Sequence, residues 1–195
     1  MTESAEVAAL IDVIASVLGH SEGRHVRGQI RSTRLTTDAT SEISSVHRFW
    51  VSNQGRGGWS IEDCDHPGIV DLWILGQDHP LRSVDDSVTP SPRAAAGIPI
   101  ELELLAPSTL HIWGREGDFW RPTNAVREED SVRLTLRSNR EDMHGTRELV
   151  FSRDAEVFTE SITFDATGAV LQHQQVEIDD LDGSGYAITT DISFG

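Results

Sequence analysis

The sequence contains no lysine, one cysteine and one tyrosine, and its longest apolar runs are only a few residues. Its 16 basic residues are therefore all arginines, and 32 aspartates and glutamates outnumber them to give a formal net charge of -16. A nucleic-acid backbone or an anionic membrane surface attracts a basic patch, and no group of arginines here outweighs its acidic neighbours. A membrane-spanning helix needs about 20 apolar residues. The composition thus argues against nucleic-acid binding and against membrane insertion.

The lone Cys64 and the first 19 residues bear on the cellular compartment. A single cysteine cannot form an intrachain disulfide, which agrees with a reducing compartment. Residues 1–19 have no basic leader, and acidic residues interrupt their apolar positions, so they do not resemble a secretory signal. We therefore expect a cytoplasmic protein.

Length and composition indicate one folded domain over residues 1–195, since 37% of the residues are hydrophobic and can form a core. Residues 1–20 are predicted to form an amphipathic helix that Ser4 caps, that Gly19 ends and whose apolar stripe packs on the sheet. The residues of that stripe are Val7, Leu10, Ile11, Ile14, Val17 and Leu18.

Residues 24–76 show the alternation of polar and apolar side chains that is typical of half-buried strands. Glycines at positions 55, 57 and 58 indicate a hairpin ahead of a strand at Trp59 and Ile61. The run IVDLWIL at 69–75 predicts a central strand buried on both faces. An edge position, a bulge or a polar pocket would each accommodate its Asp71.

Residues 77–107 are predicted to form a long polar surface loop, 77–97, followed by a short helical segment. Residues 108–195 are predicted to form an antiparallel meander, with an acidic turn at 179–185 and a last strand at 186–194. The other strands of this meander are placed at 109–115, 119–122, 131–137, 147–151, 157–164 and 169–178. The whole predicts an α+β fold of nine or ten strands.

No stretch matches a catalytic motif, and we assign no catalytic residue, no metal and no cofactor. The segment EDCDH at 62–66 contains several metal-ligand types, but it lacks the paired cysteines or histidines of a zinc site, which favours a solvated acidic turn. The acidic residues at 179–183 lack the spacing and closing glutamate of a calcium loop. Cys64 and His66 could be imagined as a nucleophilic thiolate and its general base. A structural, semi-buried thiol at Cys64 is the favoured interpretation.

The five tryptophans each lie in or beside a predicted strand, and each combines a large apolar surface with one hydrogen-bond donor. Most are expected in the core, but a curved sheet with several of them on its concave face offers an apolar pocket. The candidate ligand-binding residues are therefore Trp50, Trp59, Trp73, Trp113 and Trp120.

The layout resembles that of the lipoprotein-carrier family, the LolA and LppX-like half-barrels. The residues that carry this resemblance are His47–Val51 with Trp59–Glu62, Asp71–Trp73, Ser161–Asp165 with Gly168–Leu171, and the closing hairpin FDATGAVLQHQQVEI at 164–178. The resemblance implies a strongly curved, mainly antiparallel sheet in a half-barrel meander. It further implies helices packed on the concave face and an apolar cavity for an acyl chain or another hydrophobic ligand.

Three functional hypotheses follow from these observations. The first is a non-enzymatic binding module that holds a small hydrophobic ligand in the concavity of its sheet. The second is an interaction or inhibitor protein whose acidic face binds a protein partner with a basic surface. The third is a metal-dependent enzyme that uses Asp63, Asp65 and His66 together with His47 or His111 from neighbouring strands.

Overall fold

A computed structural model describes residues 3–19, 24–36, 41–85, 87–93, 97–140 and 145–182. The predicted strand at 186–194 therefore lies outside the described residues. The described residues form one α-helix, eleven strands and three short 3₁₀ helices. The bounds of the α-helix and the strands are α1 Glu3–Leu18, β1 His25–Leu35, β2 Glu42–Ser52, β3 Gly58–Asp63, β4 Ile69–Ile74, β5 Leu81–Val84, β6 Ser87–Pro90, β7 Trp120–Arg127, β8 Ser131–Ser138, β9 Gly145–Ser152, β10 Val157–Asp165 and β11 Val170–Asp182.

All eleven strands form one antiparallel sheet in the order β6-β5-β4-β3-β2-β1-β11-β10-β9-β8-β7. Two meanders, β1 to β6 and β7 to β11, thus meet where β1 pairs with β11. The two edge strands, β6 and β7, do not pair with each other, so the sheet stays open as a half-barrel. The predicted α+β half-barrel is confirmed, with eleven described strands instead of nine or ten.

The pairing of β1 with β11 includes a close backbone contact at Gly28. A Cβ atom at this position would lie 1.9 Å from the backbone oxygen of Glu177 on β11. The register of the two strands also shifts between Arg27 and Gly28. Only glycine fits such an approach without moving the neighbouring strand.

The chain crosses the concave face of the sheet between β6 and β7. We call residues 97–119 the crossing segment, and its 3₁₀ helix Ile100–Leu105 the crossing helix. This helix contacts β10 and β1, and its Leu102, Leu104 and Leu105 are fully buried. The predicted second helical segment is therefore confirmed, and its leucines fill the centre of the half-barrel.

Helix α1 packs on β7 and β8 through a narrow stripe that differs from the predicted one. Ala9, Val13 and Val17 are buried, whereas three residues of the predicted stripe, Val7, Ile11 and Leu18, face outward. The helix begins at Glu3, so Ser4 is not its cap, while the Gly19 amide donates to the carbonyl of Ala15 at its end. In the described part of the chain, no helix has the length and apolar character needed to cross a bilayer.

Three sequence predictions about local structure are wrong. Residues 77–97 contain the strands β5 and β6 instead of a continuous loop, because four residues suffice for an edge hairpin and Pro90 is tolerated at its end. Residues 109–115 form turns of the crossing segment instead of a strand. Residues 179–182 continue β11 instead of turning, since residues 180–182 pair with β1.

Strand β4 is third from an edge and only partly buried, so the prediction of a central strand buried on both faces is also wrong. Its Asp71 is nevertheless buried, with 4% of its surface exposed. A polar cluster at the β6 edge of the sheet surrounds this carboxylate. Of the three explanations that the sequence allowed for Asp71, the polar pocket is the one found.

Candidate functional site

The five tryptophans do not gather around one site. Trp59 is buried in the core, opposite Trp73 on β4. Trp50 lies on the opposite face of the sheet from Trp59, because its neighbour Val51 is the residue paired with Trp59, and its ring stacks on His25. Trp113 and Trp120 line two separate depressions. That any of these residues binds a ligand remains a prediction.

Trp120 lines a cleft of about 520 Å³ between the crossing segment and strands β7 and β9, which we call the crossing cleft. Its apolar lining comes from Ile98, Ile100, Leu110, Phe119 and Trp120. Leu110 and Trp120 are buried at its base, whereas Ile100 is 76% exposed and Phe119 is 41% exposed. Clefts of a few hundred cubic ångströms with apolar walls are the usual sites for small molecules.

One partly buried ion pair supplies the main polar groups of the crossing cleft. The Arg147 guanidinium, on β9, donates from Nε to Ser161 Oγ at 2.8 Å and from Nη2 to the Glu103 carboxylate of the crossing helix. A guanidinium carries five N–H donors, and these two partners engage two of them. The remaining donors can serve an oxygen acceptor on a bound molecule.

His111 and Asp118 stand at the rim of the crossing cleft. His111 Nδ1 lies 3.4 Å from the buried Asp118 carboxylate, and its ring contacts Phe119. Burial opposes ionisation of Asp118, but the backbone amide and the charge of Arg115 outweigh it and lower the pKa of that carboxyl. Asp118 therefore stays a carboxylate that holds the turn before β7.

Asp71 holds the residues that precede the crossing segment, Ser91 and Arg93, against the sheet. Its carboxylate accepts two hydrogen bonds from Arg82 of β5, one from Ser91 Oγ and one from Arg93 Nε, all between 2.7 and 2.9 Å. Arg93 in turn donates to the Glu101 carboxylate of the crossing helix. This chain of contacts positions Ile98 and Ile100, which form one wall of the cleft.

The stability of the protein should depend on the ionisation of Asp71. Burial opposes ionisation, but hydrogen bonds from Arg82, Ser91 and Arg93 outweigh it and lower the pKa of Asp71 from 3.8 to about 2. A carboxyl with a lowered folded-state pKa stabilises the protein above its unfolded pKa and loses that effect as the pH falls.

We therefore expect about 2 kcal/mol of unfolding free energy to disappear between pH 4 and pH 2 on account of Asp71. Urea unfolding at a series of pH values measures this loss. Asp71→Asn is the control, since it cannot titrate at position 71 and should lack this part of the pH dependence. An Asp71 carboxyl that titrates near pH 3.8 by NMR in the folded protein would contradict the expectation.

The residues considered for a metal do not form a cluster. Asp63 pairs with His47 across β2 and β3, and its carboxylate lies 3.0 Å from His66 Nδ1, which lowers the pKa of Asp63. His111 belongs to the rim of the crossing cleft instead. Within the described ranges, no three His, Cys, Asp or Glu side chains are placed to hold one ion.

The thiolate hypothesis and the calcium-loop hypothesis also find no matching geometry among the described residues. The ring of His66 is hydrogen-bonded to Asp63, and Cys64 is half-buried with its amide bonded to Val46 on β2. Asp179 and Asp180 lie on strand β11, where Asp179 is the extra residue at the register shift opposite Arg27 and Gly28. Gly183, the expected sharp turn of a calcium loop, lies outside the described residues.

Sequence reasoning missed the charged base of the crossing cleft. Glu103 is one of two glutamates among the apolar residues of the crossing helix, and Arg147 is an arginine at a position where the alternation of β9 requires a buried side chain. These two irregularities were the only signals. Their pairing across 44 residues depends on the path of the crossing segment.

The fold is similar to that of MucB. A crystal structure of MucB aligns with 100% of this chain at 14% identity and a TM-score of 0.51, and this chain covers 64% of that one. The complex of MucA and MucB from Pseudomonas aeruginosa aligns with 90% of this chain at 15% identity and a TM-score of 0.50. This chain spans 56% of the length of that chain. At this identity the likeness shows a common fold.

Structures of the lipoprotein-carrier type are also similar to the chain. A putative outer membrane lipoprotein-sorting protein domain from Vibrio parahaemolyticus aligns with 94% of this chain and 95% of its own at 11% identity and a TM-score of 0.39. A LolA superfamily protein from Nitrosomonas europaea aligns with 89% and 92% at 7% identity and a TM-score of 0.36. The layout that the resemblance implied, an open antiparallel half-barrel with an N-terminal helix, is the fold found. No protein-family model and no curated protein matches the chain.

The prediction of a cytoplasmic protein is wrong. The similar structures include MucB, and this likeness points away from the cytoplasm. The prediction rested on a lone cysteine and on the character of the first 19 residues. A lone cysteine lacks an intrachain partner in any compartment, so it does not identify one.

Proposed function

We propose that this protein is a non-enzymatic binding module that holds a small hydrophobic molecule in the crossing cleft. The observation that carries the proposal is the exposure of Ile100 and Phe119 at the mouth of a cleft of about 520 Å³. Exposed large apolar side chains at the mouth of an apolar cleft lose water contacts when a ligand enters. A binding role also agrees with the likeness to MucB, whose structure was solved in complex with MucA.

The chemistry of the cleft selects a molecule with one polar end. Its walls are apolar, and its ionisable side chains are the Arg147–Glu103 pair at the base and His111 at the rim. A ligand oxygen at the base would accept a hydrogen bond from the Arg147 guanidinium while the apolar part contacts Trp120 and Leu110. A fully polar ligand would leave the apolar walls hydrated and would gain little binding free energy from them.

Binding of an apolar fluorescent probe, N-phenyl-1-naphthylamine, tests this proposal. The native protein should enhance the fluorescence of the probe, and Ile100→Ser should weaken its affinity by about tenfold, since the substitution removes a side chain that the probe buries. Leu75→Ser is the matched control, because Leu75 is 71% exposed but does not line the cleft, and it should bind like the native protein.

Two outcomes would contradict the cleft as the binding site. The first is a native protein that leaves the probe fluorescence unchanged. The second is an Ile100→Ser variant with native affinity. Native mass spectrometry of the protein purified from its own cells adds an independent measurement. We expect a non-covalent small-molecule mass that disappears on denaturation.

A further inference from the structure

Helix α1 directs an apolar face away from the protein. On this face Val7 is 52% exposed, Ile11 is 56% exposed and Leu18 is 81% exposed, and exposed alanines lie beside them. The described charged side chains of the helix, Glu6 and Asp12, are half-buried at its flanks. The solvent-facing side of a surface helix normally carries polar residues. A helix that is apolar on all sides is normally buried against other parts of a protein.

The three exposed residues and the half-buried Ile14 form a straight seam along the helix. Val7, Ile11, Ile14 and Leu18 alternate in spacings of four and three residues, which is the arrangement that one helix presents to another. The seam runs over three turns, or roughly 16 Å. Its length therefore suits a helical segment of similar size lying along α1.

A pocket continues the seam at the C-terminal end of α1. A depression of about 270 Å³ is lined by Ile14, Val17, Leu18, Ser108, Trp113 and Arg115. Trp113 is held in place by its indole N–H, which donates to the carbonyl of Pro107 at 2.8 Å. A fixed aromatic wall beside an exposed leucine is the kind of pocket in which interfaces bury an anchor residue.

The charge around this surface indicates the chemistry of its partner. The turn between β7 and β8 carries three consecutive acidic residues, 128–130, directly after Arg127, which is paired with Asp12 of α1. Arg115, which lines the pocket, is paired with Asp118, and its neighbour Glu116 is an exposed carboxylate. Arg153, which lines a depression together with Asp12, offsets one of the acidic charges. The whole chain carries a net charge of -16.

We propose that the outward face of α1 is a docking surface for an amphipathic helical segment of another protein, with basic residues beside its apolar face. Acidic flanks attract such a segment, and the apolar seam binds it. A second copy of this chain is disfavoured, since it would bring another charge of -16 to the same place. This inference is independent of the crossing cleft.

A pair of synthetic helical peptides tests the proposal with the full chain. Both have leucines at heptad positions, and one has lysines and the other glutamates beside the leucines. We expect the lysine peptide to bind, with an affinity that falls as salt is added, and the glutamate peptide to bind at least about tenfold more weakly. Hydrogen exchange should show protection within residues 7–18 in the complex.

Neutral substitutions on α1 separate docking from general charge attraction. Ile11→Gln and Leu18→Gln leave the net charge unchanged and should each weaken the affinity for the lysine peptide by about tenfold. Leu75→Gln should leave this affinity unchanged. Because all three side chains are exposed, native thermal stability is expected in each variant.

Three results would overturn the proposal. One is absence of binding to the full chain, as expected if residues 183–195 cover this face. Another is native affinity for the lysine peptide in both α1 variants. The last is a concentration-dependent dimer that Ile11→Gln abolishes, which would make a second copy the occupant.

Discussion

Replacing Asp71 by alanine is expected to lower the free energy of unfolding by about 3 kcal/mol. The carboxylate is buried and accepts hydrogen bonds from Arg82, Ser91 and Arg93, so its removal leaves two guanidinium groups without their shared partner. Both arginines are partly exposed and can recover some water contacts, which places the loss at the low end for a buried ion pair. Chemical denaturation measures it.

Two control variants make the Asp71 result specific. Asp71→Asn keeps the shape of the side chain but loses the charge, so its stability should lie between those of the native protein and Asp71→Ala. Asp78→Ala removes an exposed carboxylate from the neighbouring loop and should have almost no effect. A loss below about 1 kcal/mol for Asp71→Ala would mean that the crossing segment is held by other contacts.

Loss of the Asp71 hydrogen bonds should also weaken ligand binding in the crossing cleft. Arg93 connects Asp71 to Glu101 of the crossing helix. Ile98 and Ile100 lie between Arg93 and Glu101 in the sequence. A folded Asp71→Ala protein is therefore expected to bind the naphthylamine probe more weakly than the native protein. Unchanged affinity would show that the cleft wall forms without the Asp71 cluster.

Replacing Leu104 by alanine is expected to lower the free energy of unfolding by about 2 to 5 kcal/mol. Leu104 is fully buried in the crossing helix, where it fills the concave face of the sheet, so truncation leaves a cavity. Leu104→Met, which nearly conserves volume, should cost less than about 1.5 kcal/mol. Leu75→Ala, at an exposed position, should be nearly neutral. Equal losses for Leu104→Ala and Leu104→Met would contradict this account.

The strands that alternate regularly over eight or nine residues were predictable from the sequence. In β8, Val132, Leu134 and Leu136 are buried and their neighbours are not, as the period of two requires. The hairpin from β10 to β11 was also predictable, because Asp165 accepts from the amides of Thr167 and Ala169 in a tight turn. Local chemistry determined these elements.

The sequence did not reveal features that depend on distant contacts. The residues of 81–84 and 87–90 are polar enough to resemble a loop, and only their pairing with each other and with β4 makes them strands. The alternation of Leu110 and Ile112 indicated a strand, but both are buried beneath turns of the crossing segment. Helix α1 has two apolar faces, and the sequence alone could not tell which one packs.

The candidate site was predictable only in its residue types. Aromatic residues and a concave sheet were expected, but of the five tryptophans only Trp120 lines the crossing cleft, and its charged base was not foreseen. The cleft forms between residues 97–120 and a strand that begins at Gly145, so its composition depends on how the chain crosses the sheet. The spacing of residues along the sequence does not predict how the chain crosses the sheet.

The junction of β1 with β11 has a consequence for biosynthesis. Strand β1 emerges from the ribosome among the first elements, whereas its partner β11 is translated after all the other described strands. The nascent chain therefore carries an open strand edge at β1 throughout synthesis of the second meander, and open edges invite pairing with other chains. Contacts between residues so far apart also slow folding. The interval before residues 170–182 leave the ribosome is thus when the chain is most exposed to aggregation.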